Sequence, residues 1–361
     1  MVQNLNINVQ KYKHRIEYID IAKGMGMLLV AWGHIMLSGW TNPFIYAFHI
    51  PLFFFISGMM FHRDRQGGFK NFLIKRIKTI LLPYLTYSFI TWGIWGSYNL
   101  LLHNTVESYW MPLLQTFIGQ GSGGYLVHNV PLWFVTCLMV VEILYYFIDM
   151  LPEWLDVLMC IALTVLGYLM IEVWDERFEL LPWNIEVACA AMIFYASGNM
   201  LIKHFRHDQL LQTCRKYKAC AVVIAISLAV AVYFGSQSTG HVSMGSDLLG
   251  NNPLLFYFDA FCGTVMILII SSLLSFVGGI PLQGIKWIGE NSFHVMALHN
   301  PIKGFVVVVV ARGFQCSKEL VENSYLYSGI SFVITLIVTV VAVMMVRKLI
   351  KLICKTALKK W

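Results

Sequence analysis

The feature that most constrains this chain is the recurrence of long apolar runs. Ten stretches of about 18 residues or more stand at 18–38, 43–61, 79–101, 130–149, 155–172, 183–202, 219–236, 254–277, 286–310 and 326–347. Wound as a helix, a run of that length crosses the hydrocarbon of a bilayer, where a helix satisfies its own backbone polar groups. The expected fold class is therefore all-α integral membrane, with about ten transmembrane helices in one bundle. Hydrophobic residues make up 58% of the chain and charged ones 12%, a balance far from that of a soluble domain. No small-residue cleavage site follows the first run, so it reads as an uncleaved span.

Lysine and arginine orient the bundle. Of the 26, 22 fall before or just inside the start of the first run, between runs two and three, between six and seven, at Lys286, and at or after the last residue of run ten. Arg177, Lys303, Arg312 and Lys318 remain for the other side. By the positive-inside rule both termini are cytoplasmic, which an even number of spans requires. The whole chain, 1–361, reads as one transmembrane domain, with 1–17 a cytoplasmic N-terminal segment and 348–361 a basic cytoplasmic C-terminal one. The net charge of +7 sits beside apolar spans, where it fixes topology and meets anionic lipid or a phosphorylated ligand rather than nucleic acid. Eight cysteines show no C-x-x-C pair and no zinc-like spacing, so neither a metal site nor a disulfide framework is expected.

The stretch RIEYIDIAKGMGMLLVAWGH, Arg15 to His34, carries Asp20, Lys23 and His34 into the first span. Ionisable side chains inside a membrane cost roughly 2.5–3.5 kcal/mol each even on the lenient insertion scale, so a span that keeps several is using them. Lys23 and His34 are separated by about three helical turns, about 16 Å of rise, and share one face; Asp20 lies one turn before Lys23 on the same stripe. Gly24 and Gly26 thin the helix there. The structural alternative is that Asp20 and Lys23 anchor the helix at the headgroups and that His34 is a satisfied buried histidine.

Other polar groups converge on the same depth. His49 follows a short turn after span one, and His49, Phe53 and Ser57 form one stripe of span two, with Gly58 admitting a neighbour. Span nine carries His299 and Asn300, and span four Glu142. Three intramembrane histidines from three spans suit a general base or proton relay acting on a hydroxyl. Two outward loops, 102–129 and 236–252, are rich in glycine; the first, with Tyr125 and the following Trp133, suits a polar ligand arriving from outside. On the cytoplasmic side HRDRQGGFKNFLIKRIKTILLPY supplies Arg63 and Arg76, suited to the phosphates of a nucleotide-like donor.

The motifs IDIAKGMGMLLVAWGH, HIPLFFFISGMMF, KRIKTILLPY, PLWF and IGENSFHVMALHN, in that order, resemble those of acyltransferase family 3, the integral membrane O-acyltransferases, and most resemble its fucose-4-O-acetylase-like branch. The resemblance implies a ten-span enzyme of the bacterial inner membrane that takes an acyl group, usually acetyl, from cytoplasmic acyl-CoA to a hydroxyl of a surface or exported glycan or glycolipid. No tightly bound cofactor is implied. The family's basic residue and histidine fall on Lys23 and His34, where arginine is the commoner cation; its second-span residues fall on His49, Ser57 and Gly58, and its loop cation on Arg76.

Together these readings assign His34, His49, Lys23 and Asp20 to catalysis. They assign Lys23, Arg76, Ser57 and Arg63 to the donor, and Trp133, Tyr125, His299, Asn300 and Glu142 to the acceptor. His34 either removes the acceptor's proton or carries the acyl group itself. The competing class is a transporter or flippase for a small anion or glycolipid with a histidine proton relay. The absence of an internal repeat and the ordered motifs argue against it.

Overall fold

A computed structural model describes residues 16–101, 103–172 and 181–358. Lys11, Lys13, Arg15, Arg177, Lys359 and Lys360, used above to orient the chain, lie outside them. The described chain is helical apart from a two-residue hairpin. In order come α1 (Glu17–Ile35), α2 (Thr41–Tyr46), α3 (His49–Met59), α4 (Phe69–Arg76), α5 (Leu82–Leu101) and α6 (Met111–Gln115). These are followed by α7 (Trp133–Ile148), α8 (Glu153–Glu172), α9 (Ile185–Ala190), α10 (Met192–His204), α11 (His207–Lys216) and α12 (Lys218–Thr239). Strands β1 (Val242–Ser243) and β2 (Leu248–Leu249) pair antiparallel before α13 (Pro253–Leu274), α14 (Ile280–Glu290), α15 (Ser292–Gly313), α16 (Lys318–Asn323) and α17 (Tyr325–Leu358).

Among the described residues seven helical runs, one of them Thr41–Met59 across α2 and α3, are long and apolar enough to cross a membrane, and the pair Pro182–Ala190 and Met192–His204, bent by 60°, makes an eighth when counted as one span. The remaining two expected spans correspond to α1, 19 residues long, and α5, 20 residues long. Both have the length; α1 gives up apolarity to Glu17, Asp20 and Lys23, and α5 to its Tyr, Ser, Thr and Asn side chains. The expected single run 286–310 is two helices. Its break falls at Asn291, whose side-chain amide donates to the Trp287 carbonyl and whose Oδ1 accepts from Arg347 at 2.6 Å. The run 43–61 likewise breaks, at Phe48, whose backbone leaves the helical region.

The helix α1 is the hub, with α3, α13, α14, α15 and α17 all against it. Two crossings depend on glycine. A Cβ on Gly289 would overlap the Asp20 carbonyl oxygen, and one on Gly24 the Ile285 carbonyl oxygen, so α1 and α14 meet backbone to backbone. The α3–α10 crossing is reciprocal: a Cβ on Gly58 would overlap the Tyr195 carbonyl and one on Gly198 the Phe55 carbonyl. The outward faces of α8, α12 and α17 leave Val, Ile, Leu and Met side chains uncovered, as lipid-facing helices do.

The bundle has two chemically distinct ends. One, here the basic end, carries Arg63, Arg76 and Lys203. There Asp149 binds both Arg63 (3.2 Å) and Lys203, and Lys203 also reaches the buried Asp156 (3.5 Å). The other, the loop end, carries the two glycine-rich loops. They clamp Trp133, since a Cβ on either Gly121 or Gly245 would overlap its indole, which leaves the ring only 6% exposed.

Candidate active site

Between the two ends α1 presents Lys23, Met27, Val30 and His34 to one cavity. These are positions i, i+4, i+7 and i+11, a single face of a helix, so the Lys23 to His34 spacing in sequence becomes a polar group at each end of an apolar slot. Ile50, Phe53 and Ser57 of α3 form a second wall, and Trp133, Phe134 and Phe293 close the others around about 200 Å³. Asp20 is buried, 5% exposed, beside the Gly289 crossing, one turn from Lys23. The close α1–α14 approach fixes the backbone that carries both.

Local backbone chemistry sets the histidines. His49 and His299 each turn Nδ1 onto a carbonyl just before them in the chain, His49 to that of Ile45 in α2 at 2.9 Å and His299 to that of Met296 in its own helix at 2.8 Å. A carbonyl only accepts, so Nδ1 carries the hydrogen and Nε2 is left as a lone pair. The Nε2 of His299 is buried with no hydrogen-bond partner among the described residues. His34 differs: its ring makes no hydrogen bond among those residues, lies 5.4 Å from the His299 ring, and has His49 and Lys303 within electrostatic reach. An imidazole held on an apolar wall with its nitrogens uncommitted can take a proton, or attack a carbonyl, once substrates fill the slot.

Toward the basic end the chain between α4 and α5 forms a π-turn over Ile77–Leu81. Pro83 cannot donate to the carbonyl four residues back, and the wider turn absorbs the missing bond. Just before it, Arg76 contacts Glu142 of α7 at 2.6 Å. Ile80 from the same turn reaches the cavity wall.

The structure thus brings Lys23, His34, Ser57 and Trp133 to one cavity and sets His299 beside His34. His49 is buried behind the wall, 5% exposed, with its neighbours Phe53 and Ser57 on the lining. Three residues stand elsewhere than expected. Glu142, expected near the acceptor, is the partner of Arg76. Arg63, expected at the donor, is tied to Asp149. Tyr125 lines neither this cavity nor a second one, on whose wall Asn300 stands.

Sequence reasoning passed over His128, Trp95 and Tyr98, which line that second cavity with Asn300. One signal could have found it. Pro301 removes the helical donor for the carbonyl of Ala297, and the structure supplies Asn129 Nδ2 in its place at 2.7 Å, bringing the end of the glycine-rich loop to α15.

A family model described as an acyltransferase domain, that of acyltransferase family 3, matches residues 16–346. No curated protein and no solved structure matches the chain. The match runs from the start of α1 into α17 and so takes in the cavity, the histidines and both ends of the bundle: the chain belongs to acyltransferase family 3 and is a multi-pass membrane acyltransferase.

Proposed function

We propose that the protein transfers an acyl group, acetyl in the simplest case, from acyl-CoA at the basic end of the bundle to a hydroxyl of a glycan or glycolipid arriving at the loop end. The reading makes the basic end cytoplasmic, as the lysine and arginine distribution favours, in a bacterial inner membrane and in the manner of the fucose-4-O-acetylase-like branch. The observation that carries it is the slot itself, with a cation at one mouth and an uncommitted imidazole at the other, about 16 Å apart along α1. A pantetheine arm is long, thin and uncharged, and such a slot suits it.

In this mechanism the nucleotide end of acyl-CoA meets the cations around Arg76 while Lys23 draws the arm inward, and the thioester carbonyl lies beside His34. A nitrogen of His34 takes the proton of the acceptor hydroxyl as its oxygen attacks that carbonyl. The tetrahedral intermediate collapses, the C–S bond breaks, and the coenzyme thiolate takes the proton from His34. The products are the ester and free CoA, so atoms and charge balance without a further reactant. His299, with His49 behind, positions His34, and Ser57 on the cavity wall hydrogen-bonds the developing oxyanion.

The test is a pair of chains, wild type and His34→Ala, expressed at equal levels in cells lacking the native copy, with surface glycans compared by mass spectrometry and NMR. An O-acyl group present with the first and absent with the second supports the reading, and the shifted sugar resonances identify the acceptor. Identical glycans would remove His34 from the chemistry and bring transport forward.

A further inference from the structure

The second cavity, about 350 Å³, lies against α5, the end of the glycine-rich loop and the middle of α15. Its walls differ from those of the first. Trp95 and Tyr98 supply aromatic surface, held by Tyr109 (ring centroids 6.0 Å) and Phe305 (4.8 Å) respectively. His128 is 4% exposed, and both its ring nitrogens are buried without a hydrogen-bond partner among the described residues. Leaving such groups unsatisfied is costly, and native proteins do so where something else completes them. Burial pushes the His128 imidazole down to about 4, so at neutral pH it offers one N–H and one lone pair. The Asn300 amide adds a second donor–acceptor group with no partner among the described residues, while the Lys303 ammonium is taken up by Glu322 at 2.8 Å.

An aromatic wall in one cavity with an imidazole and an amide, groups that both donate and accept, matches a sugar ring, which has an apolar C–H face and hydroxyls that each donate and accept. The position is also apt. Lys303 on the cavity's wall is within electrostatic reach of both His34 and His299, and Asn300 directly follows His299, so the cavity adjoins the histidine pair. We propose that the cavity bounded by Trp95, Tyr98, His128 and Asn300 is the acceptor subsite and holds one hexopyranose ring. The proposal rests on the acyl-transfer reading for its name as an acceptor site, and on the cavity's own chemistry for its ligand class.

Saturation-transfer NMR on the full chain in lipid nanodiscs tests it, with methyl β-D-glucopyranoside, methyl α-D-galactopyranoside, methyl α-L-fucopyranoside and N-acetylglucosamine as probes. Wild type and His34→Ala transfer saturation to the ring C–H protons of at least one probe. Trp95→Ala and His128→Phe weaken its affinity about three- to tenfold, the size expected for one aromatic contact or one hydrogen-bonding group. His128→Gln, which keeps a donor and an acceptor, retains binding and covers the case in which a larger change disturbs folding. Equal transfer in wild type, Trp95→Ala and His128→Phe overturns the proposal, as does no transfer to any probe from wild type. The two readings fail separately. Loss of glycan acylation in His34→Ala with sugar binding indifferent to Trp95 and His128 keeps the enzyme and removes this subsite. Sugar binding that depends on both residues, with glycans unchanged by His34→Ala, keeps a sugar site and removes the acyl-transfer reading.

Discussion

The basic end of the bundle and its histidine layer handle polar side chains in opposite ways. At the basic end carboxylates meet cations: Asp149 with Arg63 and Lys203, Glu142 with Arg76, Glu17 with Lys286 at 3.0 Å. In the histidine layer His34 makes no hydrogen bond, the Nε2 of His299 is bare, and His128 is unsatisfied at both nitrogens, all among the described residues. Both regions contain ionisable groups that the apolar surroundings penalise. Where partners are built in, the groups hold helices together; where they are withheld, the groups are available to something that is not part of the chain.

The sharpest way to break this contrast is His34→Ala. Since the side chain holds nothing in place by hydrogen bonding, acyl transfer from labelled acetyl-CoA in membranes falls by about 10²–10⁴ while the melting temperature stays where it was. A matching fall in stability would move His34 into the structural class.

The opposite pattern is expected of Arg76→Ala, which strands the buried Glu142 carboxylate and costs about 3–5 kcal/mol of stability. In a Glu142→Ala background the same change costs much less, read from denaturant unfolding as a double-mutant cycle. Equal costs in the two backgrounds would show that the pair is not coupled.

Gly289→Ala forces α14 away from α1 beside Asp20 and Lys23, with a loss of about 1–3 kcal/mol and a higher KM for acetyl-CoA. Gly284→Ala, on the same helix with nothing within 4 Å of an added Cβ, is silent. Comparable effects from the two would deny the close crossing its role.

Asn129→Ala leaves the Ala297 carbonyl without its donor and costs about 1–3 kcal/mol. Adding Pro301→Ala restores a helical N–H and recovers part of that loss, as thermal melting would register.

The smallest effect concerns the rim of the basic end. Burial, helped by nearby His62 and opposed by Asp208, pushes the His207 imidazole down to about 4, and its Nδ1 meets the Tyr18 hydroxyl at 2.7 Å. The folded form resists protonation, so the unfolded chain binds more protons between about pH 4 and the ordinary histidine value of about 6.5. Stability from this site is present above that range and is lost as the pH falls through it. The drop in melting temperature from pH 7 to pH 5 is therefore smaller for His207→Phe than for wild type.

What could be read in advance follows from which forces are local. The Lys23–His34 stripe was legible because helical periodicity alone puts the two on one face, and the cavity uses that face. Gly24 and Gly58 were legible as points of close approach for the same reason. The break at Asn291 was not: within a uniformly apolar run no periodicity marks where the axis turns, and this turn is fixed by Arg347, 56 residues on. Glu142 was assigned to the acceptor instead, because its depth in α7 gives no hint of Arg76 across the bundle. His128 was hidden in a loop noted for its glycines and Tyr125, since the surfaces that make it interesting come from α5 and α15.

The bond from Asn129 to the Ala297 carbonyl joins residues 168 apart in sequence, and that separation orders assembly in time. A chain made from its N-terminus lays down α1, α3 and α7, the walls of the slot, long before the ribosome reaches Ala297. Until α15 docks, the Asn129 amide has no carbonyl to hold and the end of the glycine-rich loop has no fixed position. A nascent or truncated chain lacking α15 would thus carry much of the slot yet lack one wall of the second cavity. If that cavity is the acceptor subsite proposed above, specificity is installed last.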